Sequence, residues 1–206
     1  VIYNGLDLSL FNSCQRQQER QRVRKKFNIS DDEIVLVYAG RLVRSKGIEY
    51  ILDAFLNVYE KMPNMRFVIV GDEKRERFPD SSFVQTLHQK ASVCKEGVIS
   101  FLGWFPYDEM GSVYAIADIC ALASLKIEGN SLFLLESMAC GIPVISTKVG
   151  GVPEIIQDEK NGLLVDLKNI ENGLTTALYR LANDRELRKR IGKKASKYIE
   201  ENHSAK

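Results

Sequence analysis

Ile34-Val35-Leu36-Val37-Tyr38-Ala39 is an unbroken, β-branched-rich run that stops at Gly40-Arg41-Leu42-Val43-Arg44-Ser45-Lys46-Gly47. A strand-length run with no polar face to give to water reads as a strand covered on both sides, the mark of a parallel sheet. Beyond Gly47 the period changes. Apolar residues at 48, 51, 52, 55, 58 and 59 share one helical face, and Pro63 closes a helix expected over 48–62. Strand, glycine-bearing loop and helix make one βα unit.

The unit recurs. Further strands are expected at 66–70, 98–101, 119–123, 142–146 and 163–165. Helices are expected at about 82–94, from Pro106 onward, over 131–140 and 153–156, and twice within 170–201. This alternation predicts an α/β fold: a doubly wound, Rossmann-like parallel sheet of about six strands with flanking helices. Residues 31–182 are assigned to that domain and 183–206 to a C-terminal helix. Residues 1–30 form a leading segment followed by a very polar helix over 15–27.

Composition narrows the class. The 206 residues carry 29 Lys+Arg against 27 Asp+Glu, a formal net charge of +2, and are 45% hydrophobic. That balance excludes a disordered chain and leaves no overall electrostatic footprint for nucleic acid. No stretch approaches the ~18 consecutive apolar residues of a membrane span. Cys14, Cys94, Cys120 and Cys140 lie far apart without a C-x-x-C pair, and the only histidines are His88 and His203. A zinc or disulfide framework needs clustered spacing, so the cysteines are expected reduced and mostly buried, in a cytoplasmic protein. His88, inside a helical pattern, reads as a packing or surface histidine. The chain opens at Val1 with neither initiator Met nor signal-peptide pattern, which points to processing or to a piece of something longer.

In an open doubly wound sheet, ligands bind outside the carboxyl ends of the strands. The loop after the first strand brings Arg41 and Lys46 beside Gly40 and Gly47, at a helix N-terminus: an anion site, or a solvated basic loop. The loop after the fourth strand runs from Ser124 through Glu128, Gly129, Asn130 and Ser131 into a helix that is apolar nearly all round. Asn130 and Ser131 are candidate N-caps, leaving the amides of about Leu132, Phe133 and Leu134 free. Glu136 is the only carboxylate of that buried helix. An unpartnered buried charge costs several kcal/mol, so Glu136 should meet hydroxyls, a cation or a cleft. Carboxylates flanking a helix N-terminus suit a ligand with phosphate in the middle and polyol at each end. A nucleotide-sugar has that layout, as do other phosphorylated polyols.

The same residues resemble a family. The chain is similar, along nearly its whole length, to the C-terminal, donor-binding domain of GT-B fold retaining glycosyltransferases of family 4, also called group 1. The likeness starts at Val1-Ile2-Tyr3-Asn4-Gly5-Leu6-Asp7 and continues through Tyr38-Ala39-Gly40-Arg41-Leu42-x-x-x-Lys46-Gly47. Val68-Ile69-Val70-Gly71-Asp72, Phe101-Leu102-Gly103 and Tyr114-x-x-Ala117-Asp118 follow. The E-x7-E element from Glu128 to Glu136, Gly141-Ile142-Pro143-Val144-Ile145, Gly150-Gly151-x-Pro153-Glu154 and Asn161-Gly162-Leu163-Leu164 complete it. Each motif is weak alone; in this order and spacing they are strong together.

The resemblance implies a role for each. Arg41 and Lys46 would grip and stabilise the leaving diphosphate, and Glu128 would contact the sugar near the reacting carbon. Glu136 would hold the ribose, and the amides following Ser131, at Leu132 and Phe133, would cap the phosphate. Gly40 belongs to the same phosphate loop, and Gly103-Trp104 would lie against the base. The substrate would be a UDP- or GDP-linked sugar, with no resident cofactor and no metal. The acceptor, a saccharide or glycoconjugate, would sit on a missing N-terminal domain, leaving this half inactive alone. Two departures stand out: many members have E-G-F-G where this chain has Glu128-Gly129-Asn130-Ser131, and Tyr3 replaces a usual Pro. Asn130 bears on contacts to the sugar.

Rival readings lack their motifs. There is no G-x-G-x-x-G for a nicotinamide, no G-x-x-x-x-G-K-[ST] and no D-x-D. A nucleotide-sugar epimerase, a pyridoxal-phosphate-dependent sugar phosphorylase and a non-catalytic nucleotide-binding module remain as alternatives. The stretch 16–26, with six basic residues and one acid, fits a peripheral membrane contact less well than a solvated helix, because it shows little apolar surface.

Overall fold

The computed structural model describes residues 5–71, 81–129 and 131–203. Val1–Asn4 of the leading motif, Asp72, the rest of the loop to residue 80, and Asn130 lie outside the described residues.

The strands are β1 (Ile34–Ala39), β2 (Met65–Val70), β3 (Ile99–Phe101), β4 (Ile119–Leu122), β5 (Val144–Thr147) and β6 (Leu163–Val165). The helices are α1 (Ser13–Lys26), α2 (Ile48–Tyr59), α3 (Ser81–Ala91), α4 (Met110–Ile116), α5 (Leu132–Ala139), α6 (Val152–Ile155), α7 (Ile170–Asn183) and α8 (Arg185–Asn202). Short 3-10 turns cover Arg44–Lys46, Tyr107–Glu109 and Leu167–Asn169. The six strands form one parallel sheet in the order β3-β2-β1-β4-β5-β6. The strand order reverses between β1 and β4, which opens a crevice beyond their carboxyl ends.

All six residues of β1 are buried, as an apolar run at the centre of a two-sided sheet must be. Tyr38 is the exception in chemistry, and its hydroxyl reaches the Arg41 carbonyl at 2.7 Å. On one face α2 buries Ile48, Ile51, Leu52, Phe55 and Val58, with Phe55 and Phe67 ring centroids 5.3 Å apart. Helix α7 packs beside α2, while α8 packs on α5.

Boundaries move where the backbone lacks a partner. Strand β5 starts at Val144, not at 142, because Pro143 has no N–H to give; its carbonyl accepts from the Cys120 amide at 3.1 Å. Helix α2 ends at Tyr59 and passes into turns before Pro63. The segment after Pro106 opens as a 3-10 turn before becoming α4. The cysteines divide evenly: Cys120 and Cys140 are buried, Cys94 is half-buried and Cys14 exposed. The expectation of mostly buried thiols holds for the sheet and α5 but not for the helix surfaces. His88 packs its ring 4.0 Å from that of Phe101.

The polar helix is not simply solvated. Helix α1 lies on α4, and Arg16, Arg20 and Arg24, at helical spacing, all turn toward the end of α4. Arg16 donates to the Tyr114 and Ala117 carbonyls, and Arg20 Nη1 reaches the Ala117 carbonyl at 3.0 Å. The last carbonyls of a helix have no partner within it, so guanidinium donors take their place. Asp118 gathers the charges: Arg20 Nη2 stands 2.6 Å from Oδ1, and Arg24 Nη1 and the Val35 amide reach Oδ2 at 3.2 and 3.0 Å. Helix α1 is thus held by hydrogen bonds where an ordinary surface helix would use an apolar stripe.

Candidate functional site

The crevice is built by two loops. Residues 40–47 leave β1, and residues 123–131 leave β4; a direct bond from the Leu125 amide to the Ser45 carbonyl, 2.8 Å, ties them together. Their approach demands glycine. Gly47 has φ +65°, and a Cβ there would lie 1.9 Å from the Ala123 carbonyl oxygen.

Across this seam Lys46 Nζ donates to Glu128 Oε2 at 2.6 Å. The Ser124 hydroxyl donates to the same oxygen at 2.5 Å. Both bonds fall on Oε2, and Glu128 is only 8% exposed. Behind Ser124, the Thr147 hydroxyl donates to its carbonyl at 2.7 Å, so the end of β5 braces the end of β4. A third loop covers the Glu128 backbone. The Gly151 amide donates to the Glu128 carbonyl at 2.8 Å, and a Cβ on Gly150, at φ +53°, would meet that same carbonyl oxygen at 2.2 Å.

Arg41 is exposed at the rim, with its carbonyl pinned by Tyr38. The Tyr38 ring sits 6.4 Å from Phe133 in α5, so the 40–47 loop and the α5 entrance share one wall. Burial and the nearby Glu128 push the Tyr38 phenol far up, which keeps it a hydrogen-bond donor.

Helix α5 begins at Leu132 with Ser131 in the N-cap position. Ser131 caps with its backbone: its carbonyl accepts from the Leu135 amide at 3.1 Å, but its side chain accepts nothing from the first-turn amides. Ser131 is thus the N-cap residue, as expected, with no hydroxyl on the first-turn amides. Ser131 has a ψ of 112°, extended backbone, and the first-turn N–H groups keep their partial positive charge. Leu132 is exposed and Phe133 buried.

One turn into α5, Glu136 meets hydroxyls as its burial requires. Tyr114 donates to Oε2 at 2.5 Å, and Tyr107 donates as well. Burial pushes Glu136 up to about 7, against the downward pull of the two phenols. On the other side of the crevice, Gly40, Gly71 and Gly103 follow one another across the strand ends. The Gly40 amide donates to Val70, and the Gly71 amide donates to the Gly103 carbonyl, at 2.9 and 2.8 Å. Trp104, next to Gly103, is half exposed at that edge. Asn130 lies outside the described residues.

Lys46, Glu128, Gly40, Arg41 and Phe133 are thus brought together around the switch point. Glu136 stands deeper, against α4. Tyr38, Ser124, Thr147, Tyr107 and Tyr114 are the supporting residues to which the sequence reading gave no role. For Tyr38, Ser124 and Thr147 the signal is a hydroxyl at or just past the end of a buried strand, where it must find a partner. Among the described residues, no group of three or more His, Cys, Asp and Glu is placed to hold a metal ion, and no helix is long and apolar enough to cross a membrane.

The comparisons agree with the geometry. The sequence pattern of "Glycosyl transferases group 1" matches residues 19–198. An uncharacterised glycosyltransferase of Methanocaldococcus jannaschii, MJ1607, is 31% identical over 205 residues, covering 99% of this chain and 50% of that protein. The crystal structure of the C-terminal domain of LpcC, a group 1 glycosyltransferase of Francisella tularensis, is 31% identical with a TM-score of 0.83. That match covers 98% of this chain and 100% of that one. Anabaena HepE, crystallised with UDP and glucose, is 25% identical with a TM-score of 0.85, over 99% of this chain and 52% of its own. The chain spans about half the length of the curated relatives it matches. A sheet of this order, read with a family match across nearly all of its elements, leads to one conclusion: the chain belongs to the group 1 glycosyltransferases, as a GT-B fold half of the C-terminal kind.

Proposed function

We propose that this chain is the donor-binding half of a retaining glycosyltransferase that takes a hexosyl group from a UDP- or GDP-linked sugar. The observation that carries the reading is the pairing of Lys46 with Glu128 at 2.6 Å over the switch point, beside the N-terminus of α5. A nucleotide-sugar needs a cation for its diphosphate next to an acceptor for its sugar hydroxyls, and here the two face each other. HepE, with UDP, glucose and UDP-glucose in its crystals, supports the donor class.

In this reading Arg41, Lys46 and the first-turn amides of α5, at Leu132 and Phe133, receive the diphosphate. Lys46 leaves Glu128 for the phosphate, while Ser124 holds Glu128 in place to meet the sugar. Glu136 accepts from the ribose, Ser131 borders the sugar, and Gly103-Trp104 flanks the base. The acceptor, a saccharide or glycoconjugate, is supplied by a second domain. In the reaction the bond between the anomeric carbon and the diphosphate oxygen breaks, with its electron pair leaving on the diphosphate. The acceptor oxygen forms the new bond on the same face and passes its proton to the departing phosphate oxygen. Charge grows on the diphosphate as the bond stretches, so preplaced cations and amides act where the transition state needs them.

Thermal shift against a panel of nucleoside diphosphates and their sugars tests the donor half; stabilisation by one base family is expected, and none at millimolar concentration would sink the reading. Transfer by the full-length protein, lost in Glu128→Ala, tests the chemistry, and the anomeric configuration of the product tests retention.

A further inference from the structure

Glu136 is held by phenols. Its Oε2 takes the Tyr114 hydroxyl at 2.5 Å, and the carboxylate is 4% exposed, so it has little room to turn. The Tyr114 ring is itself clamped. Phe11 meets it edge-on at 5.7 Å and 83°, and Phe133, one turn before Glu136, stacks at 6.3 Å and 29°. The same Phe11 meets Tyr107 edge-on at 5.4 Å and 71°, and Tyr107 also donates to Glu136. Two phenols, one from the 3-10 turn before α4 and one from α4 itself, are thus aimed by one phenylalanine of the leading segment at one carboxylate of α5.

We infer that Tyr114, seconded by Tyr107, is a positioning residue for nucleotide binding: its bond to Oε2 fixes the Glu136 carboxylate, whose remaining acceptor capacity takes hydroxyls from the ribose. The inference rests on the reading of Glu136 as the ribose contact. Ionised, the carboxylate only accepts; protonated, it offers a hydroxyl and loses acceptor capacity just where the ribose hydroxyls donate. The phenols favour the ionised form, and burial opposes them.

The surroundings leave this balance to the tyrosines. The titratable groups that face Glu136 are Tyr107, Tyr114 and, one turn on in α5, Cys140, whose thiol burial pushes up to about 12. Asp7 faces Tyr107, and Cys120 on β4 faces Tyr114. Arg16 on α1 faces Cys120 and Cys140, and Lys189 and Lys193 of α8 line the groove behind Cys140. Burial and Glu136 hold the Tyr114 phenol well above its ordinary range, so it stays a donor throughout.

The test is the pH dependence of binding, by calorimetry, for the unaltered chain, Tyr114→Phe, the half-exposed Tyr107→Phe and Glu136→Gln. The probes are UDP or GDP, whichever stabilises the chain in the panel, and inorganic pyrophosphate, which has no ribose. Taking the ratio of unaltered to variant affinity at each pH cancels the titration of the phosphates. Tyr114→Phe is expected to weaken nucleotide binding about three- to tenfold near pH 6.5, with the loss shrinking above about pH 8, because removing the phenol moves the Glu136 titration upward. Tyr107→Phe, which perturbs packing least, is expected to shift the profile the same way by less. Pyrophosphate binding should be the same in all four. A loss equal at every pH, or one shared by pyrophosphate, would mean that Tyr114 only packs, and would overturn the inference. If Glu136→Gln leaves nucleotide affinity unchanged, the ribose reading itself has failed, which is a separate result.

Discussion

Lys46 and Glu128, 82 residues apart in sequence, meet at 2.6 Å because β1 and β4 are neighbours in the sheet and each ends in a loop on the same side. The pair is partly shielded, with side chains 22% and 10% exposed, and Glu128 keeps the Ser124 bond whatever Lys46 does. Lys46→Met should therefore cost only about 1–2 kcal/mol of stability, less than a fully buried pair broken on one side. Pyrophosphate affinity should fall at least about tenfold, since a charge-assisted contact to phosphate is lost. Denaturant unfolding and calorimetry on the same sample separate the two effects. A large stability loss with unchanged pyrophosphate binding would mark Lys46 as a structural cation.

Gly47 makes the seam between the two loops, and it has no substitute. Gly47→Ala places a methyl group 1.9 Å from the Ala123 carbonyl oxygen at φ +65°, so the loops must part. The expected cost is about 3 kcal/mol or more, together with loss of nucleotide binding. Gly129→Ala meets nothing within 4 Å and should stay within about 0.5 kcal/mol. Equal melting temperatures for the two variants would contradict the close contact.

The order of these elements was legible in the sequence because buried parallel strands are mostly apolar runs and the loops between them carry glycine. Arg41, Lys46, Glu128 and Glu136 could be singled out for the same reason: charge beside buried structure must be explained. What the sequence did not display is who answers that charge. Ser124 meets Glu128 where Thr147 on another strand fixes its carbonyl, and Tyr114 meets Glu136 where side chains of α4 and α5 come together. Helix α1 shows the same limit from the other side. Its arginines carry no apolar pattern, so their destination, the carbonyls ending α4, emerges only from the packing.

Glu136 gives the fold a pH dependence of its own. Burial raises it from an ordinary carboxyl value of 4.5 to about 7 in the folded chain, so the folded state holds this proton over a window where the unfolded state has released it. Its contribution is favourable below about pH 4.5, is lost as pH rises toward 7, and is fully lost above that. Glu136→Gln should stabilise the chain at pH 8 by about 2–3 kcal/mol relative to the unaltered protein, with the difference vanishing near pH 4. Unfolding by denaturant at several pH values reads the difference directly, with the other carboxylates cancelling between the two proteins. A pH-independent difference would show that Glu136 does not titrate in this range.

Arg24 should be the costliest of the α1 arginines to lose. It is 1% exposed, and its guanidinium donates to the Ile116, Ser30 and Glu33 carbonyls as well as to Asp118. Arg24→Ala strips partners from three carbonyls and removes one of the cations facing Asp118, whose Oδ2 also anchors the Val35 amide at the start of β1. Removing one member of a buried charged network costs about 3–5 kcal/mol. Lys25→Ala, on the exposed face of the same helix, should change stability by no more than about 0.5 kcal/mol. If the two variants unfolded at the same denaturant concentration, α1 would be an ornament on the surface; the network predicts instead that Arg24→Ala loosens α1, α4 and the start of β1 together, seen as faster amide exchange at Val35.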